Sequence, residues 1–357
     1  MKEIRLMKGN EAVAEGAIRA GADAYFGYPI TPQSEVMEYL MLEKPHERTG
    51  MVVLQAESEV ASINMLYGAA GTGKRVMTSS SSPGISLMQE GISYMAGAEL
   101  PCILVNVVRG GPGLGTIQPS QADYFQTTKG GGHGDYRLIA LAPASVQEMF
   151  DFAGLGFELA FKYRTPVMIQ TDGLIGQMME KVELSEQQAR ITEFDQSWAT
   201  TGKTPDRAQN VITSLDLDSS RQEQHNIHLQ KKYQEVADNE VRYETFDSDD
   251  AEYLFVAYGS SARICQKAIE LGRAKGIKVG LFRPITLWPY PMKELKAAAA
   301  NVKGILAVEQ SAGQMIEDVK LATECNIKAE HFGRMGGMIP TPEEVLLALE
   351  NKIIGGK

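Results

Sequence analysis

An α/β fold on a parallel sheet is predicted by three features of this chain. Short β-rich apolar runs alternate with helical patterns up to about residue 185, a polar stretch follows to about residue 250, and the alternation then resumes. The runs ADAYF, MVVLQ, RVMTS, CILVNV, RLIALA and PVMIQT read as strands. Helical patterns over 10–20, 33–43, 58–70, 83–98 and 144–162 lie between them, and Ser82 before Pro83 reads as a cap-and-proline helix start. Such alternation implies right-handed crossovers and a sheet covered on both faces. The N-terminal MKEIRLMKGNEAVAEG reads as charged and helix-like. In the polar stretch, Ser220 and Glu223 have capping-box spacing and open a polar helix to about Val241, expected to bridge domains. EYLFVAY, KVGLF and GILAVE then alternate with helices over 261–275, 291–300 and 312–324, and a last helix opens at Thr341, Pro342 and Glu344. The expected organisation is a first domain over 1–185, a linker with the bridging helix over 186–250 and a smaller α/β domain over 251–357.

Composition narrows the function. The 357 residues are 43% hydrophobic and 22% charged, as in ordinary globular proteins. A net charge of −10 argues against a nucleic-acid surface, which needs clustered Lys and Arg. The N-terminus lacks the apolar core of a signal peptide, and no apolar run matches a membrane span, so a cytoplasmic location without membrane association is expected. Cys102, Cys265 and Cys325 are far apart with no paired spacing, so no disulfide framework, zinc site or iron–sulfur site is written here.

Three polar residues follow predicted strands. Thr31 sits in GYPITP, where two prolines stiffen the turn after ADAYF. On local sequence it reads as a helix cap. Glu59 follows MVVLQ, and Arg109 follows CILVNVV. In a parallel sheet all three fall at the carboxyl ends of strands, the edge where open α/β sheets bind ligands. Glu59 could simply complement a helix dipole; in a cleft among Val60, Ala61 and Ile63 it could share a proton. Arg109 could be a surface ion pair, or a fork for a substrate carboxylate. The glycine-rich stretch 108–136 is too long for a plain connection and is expected to be functional; it holds His133, for which no partner is apparent.

Other signals are weaker. GAAGTGKR at 68–75 resembles a phosphate loop, but Arg75 replaces the Mg²⁺-binding hydroxyl and the helix–strand order is reversed. A helix end with Gly71 or Gly73 left-handed explains it better. GGPGLG at 110–115 has dinucleotide-type glycine spacing, but Pro112 and the long loop oppose an immediate helix. His225 and His228 share a helix face without a third ligand, which favours a solvated face over a metal site.

The motifs GYPITPQSE, LQAESEVASINM, VVRGGPGLGTIQPSQADYFQ, GLFRPITLWPYP and AVEQSAGQM together resemble the pyrimidine-binding α subunit of the 2-oxoacid:ferredoxin oxidoreductases, over nearly the whole chain. The loop through GGGHGDYR is most similar to the branched-chain (2-ketoisovalerate) type, with 2-oxoglutarate, pyruvate and a non-catalytic scaffold subunit as alternatives. The resemblance implies a thiamine-diphosphate pyrimidine-type domain followed by a transketolase C-terminal-like domain. It also implies oxidative decarboxylation of a 2-oxoacid, acyl capture by coenzyme A and reduction of ferredoxin. It assigns Glu59 rather than Glu57 to the cofactor's aminopyrimidine ring, to promote its reactive tautomer, with Tyr28, Pro29 and Ile30 beside the cofactor. Thr31 would contact the substrate oxygens, and Arg109 with Gly110 its carboxylate. Thiamine enzymes hold Mg²⁺ and the diphosphate through a Gly-Asp-Gly segment followed by Asn; Thr171-Asp172-Gly173 departs from that pattern. The resemblance therefore implies no metal on this chain. A diphosphate-binding β subunit would supply Mg²⁺, a ferredoxin-like subunit the iron–sulfur clusters, and a γ subunit could complete the hetero-oligomer.

Overall fold

The computed structural model describes residues 3–186, 195–203 and 205–355, so within the expected linker residues 187–194 and 204 lie outside the described residues. The chain opens with β1 (Glu3–Lys8), α1 (Gly9–Arg19), β2 (Ala24–Gly27), α2 (Ser34–Glu43), α3 (Pro45–Arg48), β3 (Val52–Gln55) and α4 (Glu59–Ala70). It continues with β4 (Val76–Ser80), α5 (Ser82–Gly97), β5 (Cys102–Val108), α6 (Tyr124–Thr128), β6 (Ile139–Leu141), α7 (Val146–Tyr163), β7 (Pro166–Asp172), α8 (Gly173–Gln177) and β8 (Met179–Leu184). All six strands expected from the first alternation form, joined in one sheet of order β6-β7-β5-β4-β2-β3, all parallel. The order reverses direction between β2 and β4, which makes the carboxyl ends of these strands a topological switch point.

The helix-like reading of the N-terminus is corrected at its first residues. Glu3–Lys8 pairs antiparallel with β8, with Glu3 opposite Leu184. EIRLMK also alternates, but its partner lies some 180 residues away, beyond any local window. From Gly9 the chain is helical, and α1 is buried against α7; a Cβ on Gly16 would meet the Phe150 carbonyl oxygen at 2.3 Å. Two caps differ from expectation. The cap position of α5 is Ser81, not Ser82, whose hydroxyl is used elsewhere.

The polar helix forms as α9 (Ser219–Asn239), capped by Asp218 rather than Ser220, through bonds from Ser220 N and Arg221 N of 2.9 and 3.3 Å. Its buried residues Leu229, Lys232, Tyr233 and Val236 fall at helical spacing on one face. His225 Nε2 lies 2.7 Å from the Gly97 carbonyl and His228 Nε2 lies 3.0 Å from Glu99 Oε1, so the histidines tie α9 to the end of α5.

Next come β9 (Tyr243–Phe246), β10 (Tyr253–Val256), α10 (Gly259–Ala274), β11 (Val279–Pro284), β12 (Thr286–Trp288), α11 (Met292–Ala298), β13 (Gly304–Glu309), α12 (Met315–Ala322), β14 (Ala329–Gly333) and α13 (Pro342–Leu349). The last helix has the expected capping box between Thr341 and Glu344. The second sheet runs β14-β13-β10-β11-β9, parallel except for β9. Strand β12 leaves this unit and pairs antiparallel with β6, at the edge of the first sheet. Among the described residues no helix is long and apolar enough to cross a membrane.

A buried polar seam joins the two units. Gln121 donates to the Tyr258 carbonyl at 2.9 Å and accepts from Ser261 Oγ at 2.7 Å and Gln310 N at 3.0 Å. Asp172 accepts from Ser260 Oγ at 2.7 Å while its other oxygen caps α8, receiving Leu174 N at 3.0 Å and Ile175 N at 3.1 Å. Arg283 crosses to Glu148 and to the Ala142 carbonyl. Removing the Asp172 carboxylate strands these buried donors, so Asp172→Ala should cost about 2–4 kcal/mol in denaturant unfolding of the chain. Burial raises the Asp172 carboxyl above its ordinary range, against bonds from Ser260 and from backbone that lower it. The folded state then holds this proton more tightly than the unfolded state. Relative to Asp172→Asn, the wild type should lose stability as pH rises from about 4, and a parallel pH dependence of the two proteins would contradict this.

Candidate active site

The turn after β2 is set by a side chain that local sequence did not single out. Gln33, fully buried, donates through Nε2 to the Tyr28 carbonyl at 2.9 Å and accepts from Ser79 Oγ at 2.6 Å. Ser79 is in turn 2.8 Å from the Tyr25 hydroxyl. From below, Asn10 and Gln177 both donate to the Pro32 carbonyl, at 2.7 and 3.0 Å. Tyr28, Pro29 and Ile30 are thus held in one backbone path with Pro29 exposed. The cap reading of Thr31 is corrected: α2 starts at Ser34 with Gln33 in the cap position, because the second proline keeps the chain out of the helix for one more turn. Thr31 is exposed and lines a cleft of about 700 Å³ with Pro32, Glu35, Gln118, Leu174 and Gln177.

Arg109 meets Thr31 directly. It is 7% exposed, donates through Nη1 to the Thr31 carbonyl at 2.9 Å and through Nη2 to the Leu114 carbonyl at 3.0 Å, and its Nε is buried without a partner. The glycine-rich segment after it makes a tight turn rather than a helix start. Gly115 has φ +59°, and a Cβ there would sit 1.9 Å from the Gly110 carbonyl oxygen, so no other residue fits. Ser82 binds the backbone of Arg109 from α5, accepting its N–H at 3.1 Å. The same hydroxyl donates to Asp123 Oδ2 at 2.7 Å. A second cleft of about 710 Å³ opens here, bounded by Ser82, Pro83, Gly111, Asp123, Gln310 and Met335.

Glu59 stands on the other side of the same first turn of α5. It is 6% exposed, whereas Glu57 is exposed, and among the described residues nothing donates to its carboxylate. Its position depends on Gly84: a Cβ there would lie 2.6 Å from Glu59 Oε1 and 2.0 Å from Ser80 Oγ. The Ser80 and Ser81 hydroxyls beside it are buried and unpartnered. The structure therefore brings Thr31 and Arg109 into contact and sets Glu59 around one helix start with them, through Ser82 and Gly84.

The other sequence signals lead elsewhere. His133 packs edge-on against Tyr94 with ring centroids 5.9 Å apart, in a different cleft, and its carbonyl accepts from Ser93 Oγ. GAAGTGKR is the end of α4 and a turn, with Gly73 at φ +75° and Arg75 donating to the Ala20 carbonyl. Asp172 of Thr-Asp-Gly is committed to the seam and the α8 cap. No local signal singles out Gln33, Asn106 and Asp123, and Ser82 reads only as a helix cap; all four act through partners brought together by folding.

The residues fit a nitrogen heterocycle at Glu59, since a carboxylate without a protein donor can accept a ring N–H. Comparison with known proteins gives the family. Residues 15–247 match the family model described as pyruvate flavodoxin/ferredoxin oxidoreductase, thiamine diphosphate-binding, and residues 251–345 match pyruvate:ferredoxin oxidoreductase core domain II. The chain is 50% identical to ketoisovalerate oxidoreductase subunit VorB of Methanothermobacter thermautotrophicus, over 96% of both chains. It is 35% identical to 2-oxoglutarate synthase subunit KorA of the same organism, over 97% of this chain and 98% of that one. Among solved structures, the 2-oxoglutarate:ferredoxin oxidoreductase of Magnetococcus marinus, with 2-oxoglutarate, coenzyme A and succinyl-CoA bound, superposes with a TM-score of 0.85 at 27% identity. That match covers 99% of this chain but only 66% of that longer protein. This chain belongs to the thiamine-diphosphate-binding family of the pyruvate flavodoxin/ferredoxin oxidoreductases.

Proposed function

We propose that this chain is the pyrimidine-binding α subunit of a 2-oxoacid:ferredoxin oxidoreductase that acts on a branched-chain substrate such as 3-methyl-2-oxobutanoate. The substrate loses CO₂, its acyl group passes to coenzyme A, and its electrons pass to ferredoxin. The observation that carries the reading is Glu59, a buried residue whose carboxylate has no donor among the described residues, joined to the Arg109–Thr31 pair through Gly84 and Ser82 of the first turn of α5. The branched-chain preference is supported by the greater likeness to the ketoisovalerate relative than to the 2-oxoglutarate one.

When bound, thiamine diphosphate supplies a nucleophilic carbon and an electron sink for decarboxylation. Glu59 accepts an N–H of the pyrimidine ring on its carboxylate oxygen and holds or releases that proton there. Tyr28, Pro29 and Ile30 form the rigid wall beside the ring. The Arg109 guanidinium binds the substrate carboxylate beside Gly110, whose own N–H is held by the Gln118 carbonyl at 2.9 Å, and the Thr31 hydroxyl reaches the substrate oxygens. Arg109 exchanges its present carbonyl partners for a charged one, a stronger hydrogen bond.

A partner chain completes the site. Asp172 is committed elsewhere, so the Mg²⁺ and diphosphate fall to a β subunit, and the iron–sulfur clusters to a ferredoxin-like subunit. Exposed apolar side chains support this: Val52 and Leu54 on the edge strand β3, and Val60, which follows Glu59 on α4.

Three outcomes are expected of the reconstituted complex. Glu59→Gln should lower 2-oxoacid-dependent ferredoxin reduction at least about a hundredfold while subunit assembly persists; wild-type turnover would sink the assignment. Arg109→Ala should raise KM roughly ten- to a hundredfold and also lower kcat, and an unchanged KM would make Arg109 structural. In side-by-side assays, 3-methyl-2-oxobutanoate should give a higher kcat/KM than 2-oxoglutarate or pyruvate, and the reverse ranking would reassign the substrate.

A further inference from the structure

Asp123 occupies the cap position of α6 but makes no cap bond. An Asp there ordinarily caps its helix, and this one is used elsewhere. Its Oδ2 accepts from Ser82 Oγ at 2.7 Å and from Asn106 Nδ2 at 2.9 Å. Asn106 Oδ1 closes the ring by accepting from Ser82 N at 3.1 Å. Ser82 Oγ in turn accepts the N–H of Arg109 at 3.1 Å. The donors run in one direction, from Arg109 through Ser82 to the carboxylate, so each bond polarises the next. The ring joins the end of β5, the start of α5 and the returning arm of the glycine-rich loop at one point. It acts on the backbone of Arg109 and touches neither of its terminal nitrogens, which reach Thr31 and Leu114.

We infer that Asp123 is the positioning residue of the substrate-carboxylate site: through Ser82 and Asn106 it fixes the backbone from which Arg109 reaches the substrate. This inference rests on the reading of Arg109 as the residue that binds the substrate carboxylate. Displacing the backbone of Arg109 swings its guanidinium and weakens carboxylate binding. Both bonds end on the one oxygen Oδ2, so an amide oxygen at position 123 can accept both of them, whereas removal of the side chain loses both.

The test uses steady-state kinetics of the reconstituted complex with 3-methyl-2-oxobutanoate for D123A, D123N, R109A and R109A/D123A. D123A should raise KM roughly tenfold with a smaller change in kcat, the equivalent of one hydrogen bond. D123N, whose amide oxygen can accept both bonds, should keep KM within about twofold of wild type. On the R109A background, D123A should add no further rise in KM, because its effect passes through Arg109. A wild-type KM for D123A, a D123N protein no better than D123A, or a full D123A effect on top of R109A would overturn the inference while leaving the reading of Arg109 in place. An R109A protein with wild-type KM would instead remove that reading, and the inference with it.

Discussion

The constraint on which the site depends is the burial of Gln121. The segment from Val108 to Tyr136 is long and rich in glycine, and such segments are mobile unless their backbone is tied down. Gln121 ties it at mid-length, committing both ends of its amide and its own N–H to Tyr258, Ser261 and Gln310 of the second unit. Neighbours add to the hold: Ser120 Oγ donates to the Gln310 carbonyl at 3.1 Å, and the Tyr124 hydroxyl donates to Asp318 at 2.5 Å. Buried amides and carboxylates are costly to leave unpaired, so the segment has one low-energy path. Arg109 begins that path and Asp123 lies on its return.

The first turn of α5 is where that path meets the sheet. It follows β4, next to the switch point, and presents a run of serines rather than apolar residues. Ser79 secures the GYPITP turn through Gln33, and Ser82 secures Arg109. Gly84 leaves the space that the Glu59 carboxylate fills. Three functional candidates from three strands are therefore referred to the end of β4 and the first turn of α5 that follows it. Small side chains are needed there because the sheet edge, the carboxylate and the helix approach within van der Waals distance.

The second unit contributes more than bulk to the first. Strand β12 extends the first sheet, Arg283 clamps Glu148 at the start of α7, and Ser260 meets Asp172. Asp172 of the Thr-Asp-Gly segment near the sheet edge is thereby committed within the chain. The same carboxylate cannot both satisfy the buried donors of Ser260, Leu174 and Ile175 and face an ion. In the proposed complex the metal is therefore assigned to a partner chain.

The alternation of apolar runs and helical patterns was enough to place the six parallel strands and the main helices, because strand and helix periodicities are local and survive without knowledge of neighbours. GYPITP, Glu59 and Arg109 were likewise visible, since a residue just past a parallel strand must lie at its carboxyl edge. Their mutual arrangement was not. Thr31 turned out not to cap a helix, Ser82 and Ser220 yielded their cap positions to Ser81 and Asp218, and residues 3–8 became a strand because β8 pairs with them. Gln33, Asn106 and Asp123 had no signature at all, since an amide or carboxylate reads alike on a surface and in a buried ring. Only the tertiary structure decided which of them lost water, and a polar group that loses water must take whatever partner the fold brings within reach.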